Sequence, residues 1–109
     1  MNNEVIFNRI NNVTDAESEL RCAINSLLCE ILDEKKKIVI PEDSDVWVTV
    51  MSGDESECVQ PKTIEKHGDD EPIVTFENNE GYEDYDALVY LSIGEKIDIL
   101  NAIKEMFNE

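Results

Sequence analysis

Apolar residues recur at helical spacing near both ends of the chain and alternate with polar ones in the middle. Residues 4 to 13 place Ile6, Ile10 and Val13 three and four apart, but Asn8, Asn11 and Asn12 are weak helix formers, so a short, frayed helical segment is expected there. Thr14-Asp15-Ala16-Glu17 is a capping box: the Thr14 hydroxyl can accept from the Glu17 amide while the Glu17 carboxylate reaches back. It predicts a helix from about Thr14 to Lys37. Ala16, Leu20, Ala23, Ile24, Leu27, Leu28, Ile31 and Leu32 fill one side of its wheel, and Lys35, Lys36 and Lys37 sit where the helix dipole favours cations. Cys22 and Cys29 fall on the opposite side with Ser18 and Asn25, so either that side is covered, by the N-terminal segment or a second subunit as is favoured, or two thiols are exposed.

Pro41 to Asp45 is turn chemistry, and the short run Ile38 to Ile40 before it fits either element. Val46 to Met51 then alternates strictly, with Val46, Val48 and Val50 on one face and Trp47, Thr49 and Met51 on the other, as in a strand. Ser52 to Glu55 turns the chain. An extended segment from about Glu57 to Lys66 follows, broken near Pro61 and so suited to an edge or bulged strand. A second turn runs from His67 to Pro72, and Ile73 to Glu77 is the third strand. Residues 78–86 read as an acidic loop with two tyrosines, and Leu88 to Leu91 as a fourth strand or an irregular link. Ser92-Ile93-Gly94-Glu95 repeats the capping box and opens a terminal helix to about Phe107, on whose apolar side Lys96 and Lys104 should snorkel to water. The expected architecture is one α+β domain over residues 1–109: an N-terminal helix, a small antiparallel meander of three to four strands, and a C-terminal helix.

Composition narrows the function classes. The 109 residues are 41% hydrophobic with four Gly and three Pro, so a single folded core is expected rather than disorder. No apolar run approaches the roughly 18 residues of a membrane span, and Met1-Asn2-Asn3-Glu4 carries no basic leader, so a cytoplasmic protein is expected. Three cysteines cannot all pair, which predicts reduced thiols. Abundant Ile and Asn with only two Arg suggest an A+T-rich genome, bacterial or phage.

The charge balance is the unusual feature, with 26 acids against nine Lys and Arg and a net of −17. Direct binding of nucleic acid or an anionic membrane is disfavoured, and a basic protein partner is favoured. Asp54 to Asp86 holds 12 acids against Lys62 and Lys66, so the candidate binding residues are Asp54, Glu55, Glu57, Asp69, Asp70, Glu71, Glu80, Glu83, Asp84 and Asp86, together with Trp47. Glu55 and Glu57, and Asp84 and Asp86, are two apart; in a strand each pair lies about 6.6 Å apart on one side, comparable with successive phosphates. A nucleic-acid-mimicking inhibitor is therefore the alternative to a plain interaction module.

Catalytic and metal chemistry find little support. His67 is the sole histidine and sits in a turn; Cys58 is the one thiol a hairpin could bring to it, and no oxyanion site accompanies them. Counting back five residues from each glycine lands on Val48, Thr63, Phe76 and Val89, none a carboxylate, so no EF-hand loop fits. Phosphate-loop, dinucleotide, zinc-protease and serine-hydrolase motifs are absent. No cofactor, metal or catalytic residue is expected, and a small enzyme is the third reading. Trp47 and Met51 on the outer sheet face, or the Cys22 and Cys29 side of the helix, predict self-association.

Overall fold

A computed structural model describes residues 2–107. The first helix, α1, runs from Asn3 to Lys35 without interruption, well before the predicted start at Thr14. Asn2 supplies the cap, its Oδ1 accepting from the Val5 amide at 2.8 Å. Thr14 is not a cap: its hydroxyl donates to the Ile10 carbonyl at 2.9 Å, a bond that lets a threonine sit inside a helix. The asparagines that suggested fraying lie within the same helix. At the other end Lys36 takes a positive φ of 66°, its amide bonding the Leu32 carbonyl, so the helix stops two residues before the predicted Lys37.

Among the described residues six strands follow: β1 (Lys37–Val39), β2 (Val48–Ser52), β3 (Glu55–Val59), β4 (Pro61–Glu65), β5 (Ile73–Glu77) and β6 (Glu83–Ala87). The meander is β4-β5-β6, and β1 joins its other edge to give the antiparallel order β1-β4-β5-β6. β2 and β3 form a separate hairpin. Two expectations change here. The segment 57–66 is divided between two sheets at Gln60, since β3 and β4 pair with different partners. The acidic stretch 78–86 is a loop only as far as Tyr82, because Glu83 to Ala87 pairs with β5 in register.

Residues paired across an antiparallel ladder share a face, and here Ile38, Ile64 and Val74 align on one side of the sheet. That side meets the helices. Ile24, Leu28 and Leu32 of α1 and Ile99, Ala102 and Ile103 of the C-terminal helix α2 (Ile93–Phe107) pack on it, with Phe76, Val48, Val50 and Val59. Val46, Val48, Val50, Val74 and Phe76 all face this core as their alternation predicts, while Trp47 and Met51 are exposed. The opposite face of the sheet carries Thr63 and Thr75, whose hydroxyls share a 2.6 Å hydrogen bond, and exposed Val39 and Tyr85. Leu88 to Tyr90 is a turn of 3₁₀ helix, the irregular link rather than a fourth strand.

The buried residues of α1, Ile24, Leu28 and Leu32, all lie toward its C-terminal end. Ala16, Leu20, Ala23 and Leu27, expected on the buried stripe, are exposed, as are Phe7, Ile10 and Val13. Cys22 is exposed and Cys29 half-buried; the N-terminal segment cannot cover them, being the continuation of their own helix. The overhang makes the molecule 53 Å long, and its radius of gyration of 16.4 Å exceeds the roughly 13 Å of a compact chain this size.

Candidate functional site

The capping box at Ser92 forms as its sequence predicts: Ser92 Oγ accepts from the Glu95 amide at 3.2 Å, and Glu95 Oε1 accepts from the Ser92 amide at 2.9 Å. The second Glu95 oxygen accepts from the Thr49 amide at 2.5 Å, and Asp86 Oδ2 accepts from the Met51 amide at 3.1 Å. β2 therefore presents two amides to carboxylates where a further strand would otherwise pair. Asp86 is a structural acid, and a sheet edge closed in this way is protected from adding foreign strands.

The predicted acidic residues do not form one patch. Asp84 and Asp86 lie opposite Phe76 and Val74, so they share the helix-facing side of the sheet. Glu55 and Glu57 likewise share a face with buried Val50, and Glu57 Oε2 accepts from the Asn79 amide at 3.2 Å. Asp69, Asp70 and Glu71 are exposed in the β4–β5 turn, whereas Glu80 lies in the β5–β6 turn at the other end of the strands, with Glu83 beside it and Asp54 at the β2–β3 turn. Of the two pairs whose spacing suggested phosphate mimicry, Glu57, Asp84 and Asp86 are half-buried and Glu55 is exposed.

A groove of about 720 Å³ opens between the 40–47 loop, β3 and the start of β4. Ile40, Val46, Val59 and Pro61 are buried residues along it, and Trp47, 51% exposed, stands at its side with Cys58. Glu42, Lys62, Glu77 and Asn79 complete the lining. The Lys62 ammonium is already engaged, 3.6 Å from Glu77 and 4.0 Å from Glu83. Gln60 donates to the Ser44 carbonyl at 3.4 Å and ties the loop to the β3–β4 junction. Trp47 is already a candidate from the sequence, whereas Glu42, Lys62 and Glu77 come from the 40–47 loop, β4 and β5, and no local pattern signals that the fold gathers them along one groove.

Cys58 and His67 are not brought together as a pair. β4, about 16 Å long, runs between their regions, and His67 Nε2 lies 3.4 Å from Glu65. Among the described residues no three His, Cys, Asp or Glu side chains are grouped so as to hold a metal ion, and no helix is long and apolar enough to cross a membrane.

Lys96 does not snorkel. It is fully buried, donating from Nζ to Asn25 Oδ1 at 2.9 Å and to the Val89 carbonyl at 3.1 Å. Burial holds its ammonium below the ordinary lysine range, and the charge of Arg21 adds to that effect. The bonds tie together α1, the 3₁₀ turn and α2, and the side chain leaves no path for a substrate to reach the amine.

The chain matches no protein-family model, no curated protein and no solved structure.

Proposed function

We propose that this is a non-enzymatic interaction module that receives an extended, basic segment of a partner protein in the groove beside Trp47. The observation that carries the reading is the half-exposed tryptophan beside an apolar trough whose rim holds Glu42 and Glu77, with Lys62 its one cation and already neutralised. Aromatic residues with exposed apolar surface are strong anchors of protein interfaces. The net charge of −17 would steer a basic partner to the molecule from a distance and repel nucleic acid and anionic lipid. The three free thiols, Cys22, Cys29 and Cys58, suit a reducing cytoplasm. Binding rather than turnover fits a groove that lacks a nucleophile-and-base pair.

Capture of partners from the source cell across a salt series tests this, with Trp47→Ala and the pair Glu42→Gln and Glu77→Gln beside the wild type. Capture at low salt, release as the Debye length falls from about 10 Å towards 3 Å, and loss in both variants are expected. A partner retained by both variants would remove the groove from the interface. Competition by added duplex DNA for a partner that itself binds nucleic acid would instead support the mimic reading.

A further inference from the structure

We infer that the overhanging N-terminal part of α1 is a self-association surface, on which a second copy of the chain lays the same segment in antiparallel orientation. Ile6, Ile10, Val13, Glu17, Leu20 and Ile24 follow one another by alternating steps of four and three residues. That 3.5-residue repeat is the seam of a two-stranded coiled coil. The seam is bare where the body ends: Ile6, Ile10, Val13 and Leu20 are 41–69% exposed, and Phe7 beside them is 64% exposed. The one charged member, Glu17, holds Arg21 at 2.9 Å, which leaves its stem for the seam.

Three observations select a second copy as the occupant. First, the segment is only weakly acidic: residues 3–23 carry Glu4, Asp15, Glu17 and Glu19 against Arg9 and Arg21, a net of −2 out of −17. Copies can meet there without bringing their acidic bodies together. Second, the chain exposes 7583 Å², against about 6,100 Å² for a compact monomer of its mass, and the excess of roughly 1,500 Å² exceeds the approximately 800 Å² each partner loses in a standard interface. Third, Asn8, Asn11, Asn12 and the β-branched Val5, Ile6, Ile10 and Val13 are weak helix formers, so this stretch needs a covering surface to stay helical.

Orientation follows from the body. Ile24 is buried in the chain's own core, so a parallel partner in register would need space that the body already fills. An antiparallel partner ends near Leu20 and places the bodies at opposite ends. The resulting layers pair Val13 with Ile10 of the second copy, Glu17 with Ile6, and Leu20 with Asn3.

Sedimentation equilibrium of the full chain is expected to give twice the 12.4 kDa chain mass, falling to one chain mass in Ile10→Asp/Val13→Asp while the Trp47 emission spectrum stays unchanged. In a Cys22→Ser background, chains with Leu20→Cys mixed with chains with Asn3→Cys should form a mixed disulfide, whereas Leu20→Cys alone should not link to itself, its two copies lying about 25 Å apart. A wild type that stays monomeric at several hundred micromolar, a dimer that survives the double substitution, or self-linking of Leu20→Cys would each overturn the inference.

Discussion

Glu95 holds the Thr49 amide at 2.5 Å with the carboxylate oxygen that its capping box leaves free. One side chain thus completes the first turn of α2 and closes the edge of β2, fixing helix and hairpin in relation to each other. Glu95→Ala should destabilise by about 2 kcal/mol, combining a lost cap with a lost charge-assisted hydrogen bond at a site open to water. Glu95→Gln, which retains one acceptor oxygen, should cost about half as much. Urea denaturation followed by Trp47 emission measures both, and equal midpoints for wild type and Glu95→Ala would remove the link from the stabilising contacts.

Val48 is fully buried on the core face of β2. Val48→Asp places a carboxylate in the apolar core and should cost about 3 kcal/mol or more. A cooperative melting curve coincident with the wild type would mean that this face is not the core.

Asn25 is the side-chain acceptor for the buried Lys96 ammonium. Asn25→Ala should therefore destabilise by about 1–3 kcal/mol, and more than Lys96→Met, which removes the charge together with its need for partners. Because the folded state lowers the Lys96 pKa, the unfolded chain binds the proton more readily from that lowered value up to about 10.5, and stability should rise with pH across this window. Lys96→Met should flatten that rise. A pH profile identical in the two proteins would argue against a charged, desolvated lysine.

The Asp33 carboxylate accepts from the Lys66 ammonium at the junction of α1 and β4; the bond holds Asp33 below its ordinary range and Lys66 above its own. Its stabilisation should be complete above about pH 3.9, where an unfolded aspartate is ionised, and lost as pH falls through the lower folded value. Raising the pH removes it only above the ordinary lysine range. Asp33→Asn should abolish this share of the acid limb in a series of melts from pH 5 downward, and an unaltered limb would show the pair to be inconsequential.

Much of the fold was legible where local chemistry and packing agree. Ser92 and Glu95 cap α2, the alternation read over Val46 to Met51 holds in burial although the strand itself is Val48 to Ser52, and Ile73 to Glu77 lies centrally in its sheet. Thr14 misled because the same Thr-x-x-Glu pattern can lie inside a helix, where the hydroxyl bonds back to Ile10. Glu83 to Ala87 was obscured by its charges: Asp84 and Asp86 face inward on an edge strand, where Asp86 bonds a neighbouring backbone amide that no local pattern reveals. Lys96 was misread for a similar reason, since its partners Asn25 and Val89 belong to other elements. The groove at Trp47 was visible only through that residue, its remaining wall being assembled from three separate segments.

The helix α1 also carries two very different resistances to amide hydrogen exchange along one unbroken ladder. Around Ile24, Leu28 and Leu32 the amides can open only when the core does, so their protection should equal the global stability. From Ile6 to Leu20 the single chain has little to keep a weakly helical stretch closed, and exchange there should proceed by local fraying. With a second chain in place, that fraying must wait for dissociation. The N-terminal amides should then pass from fast local fraying in dilute solution to protection as the protein is concentrated, while those near Leu28 are protected at every concentration, so one experiment reads the folding of the body and the assembly of the arm from different ends of the same helix.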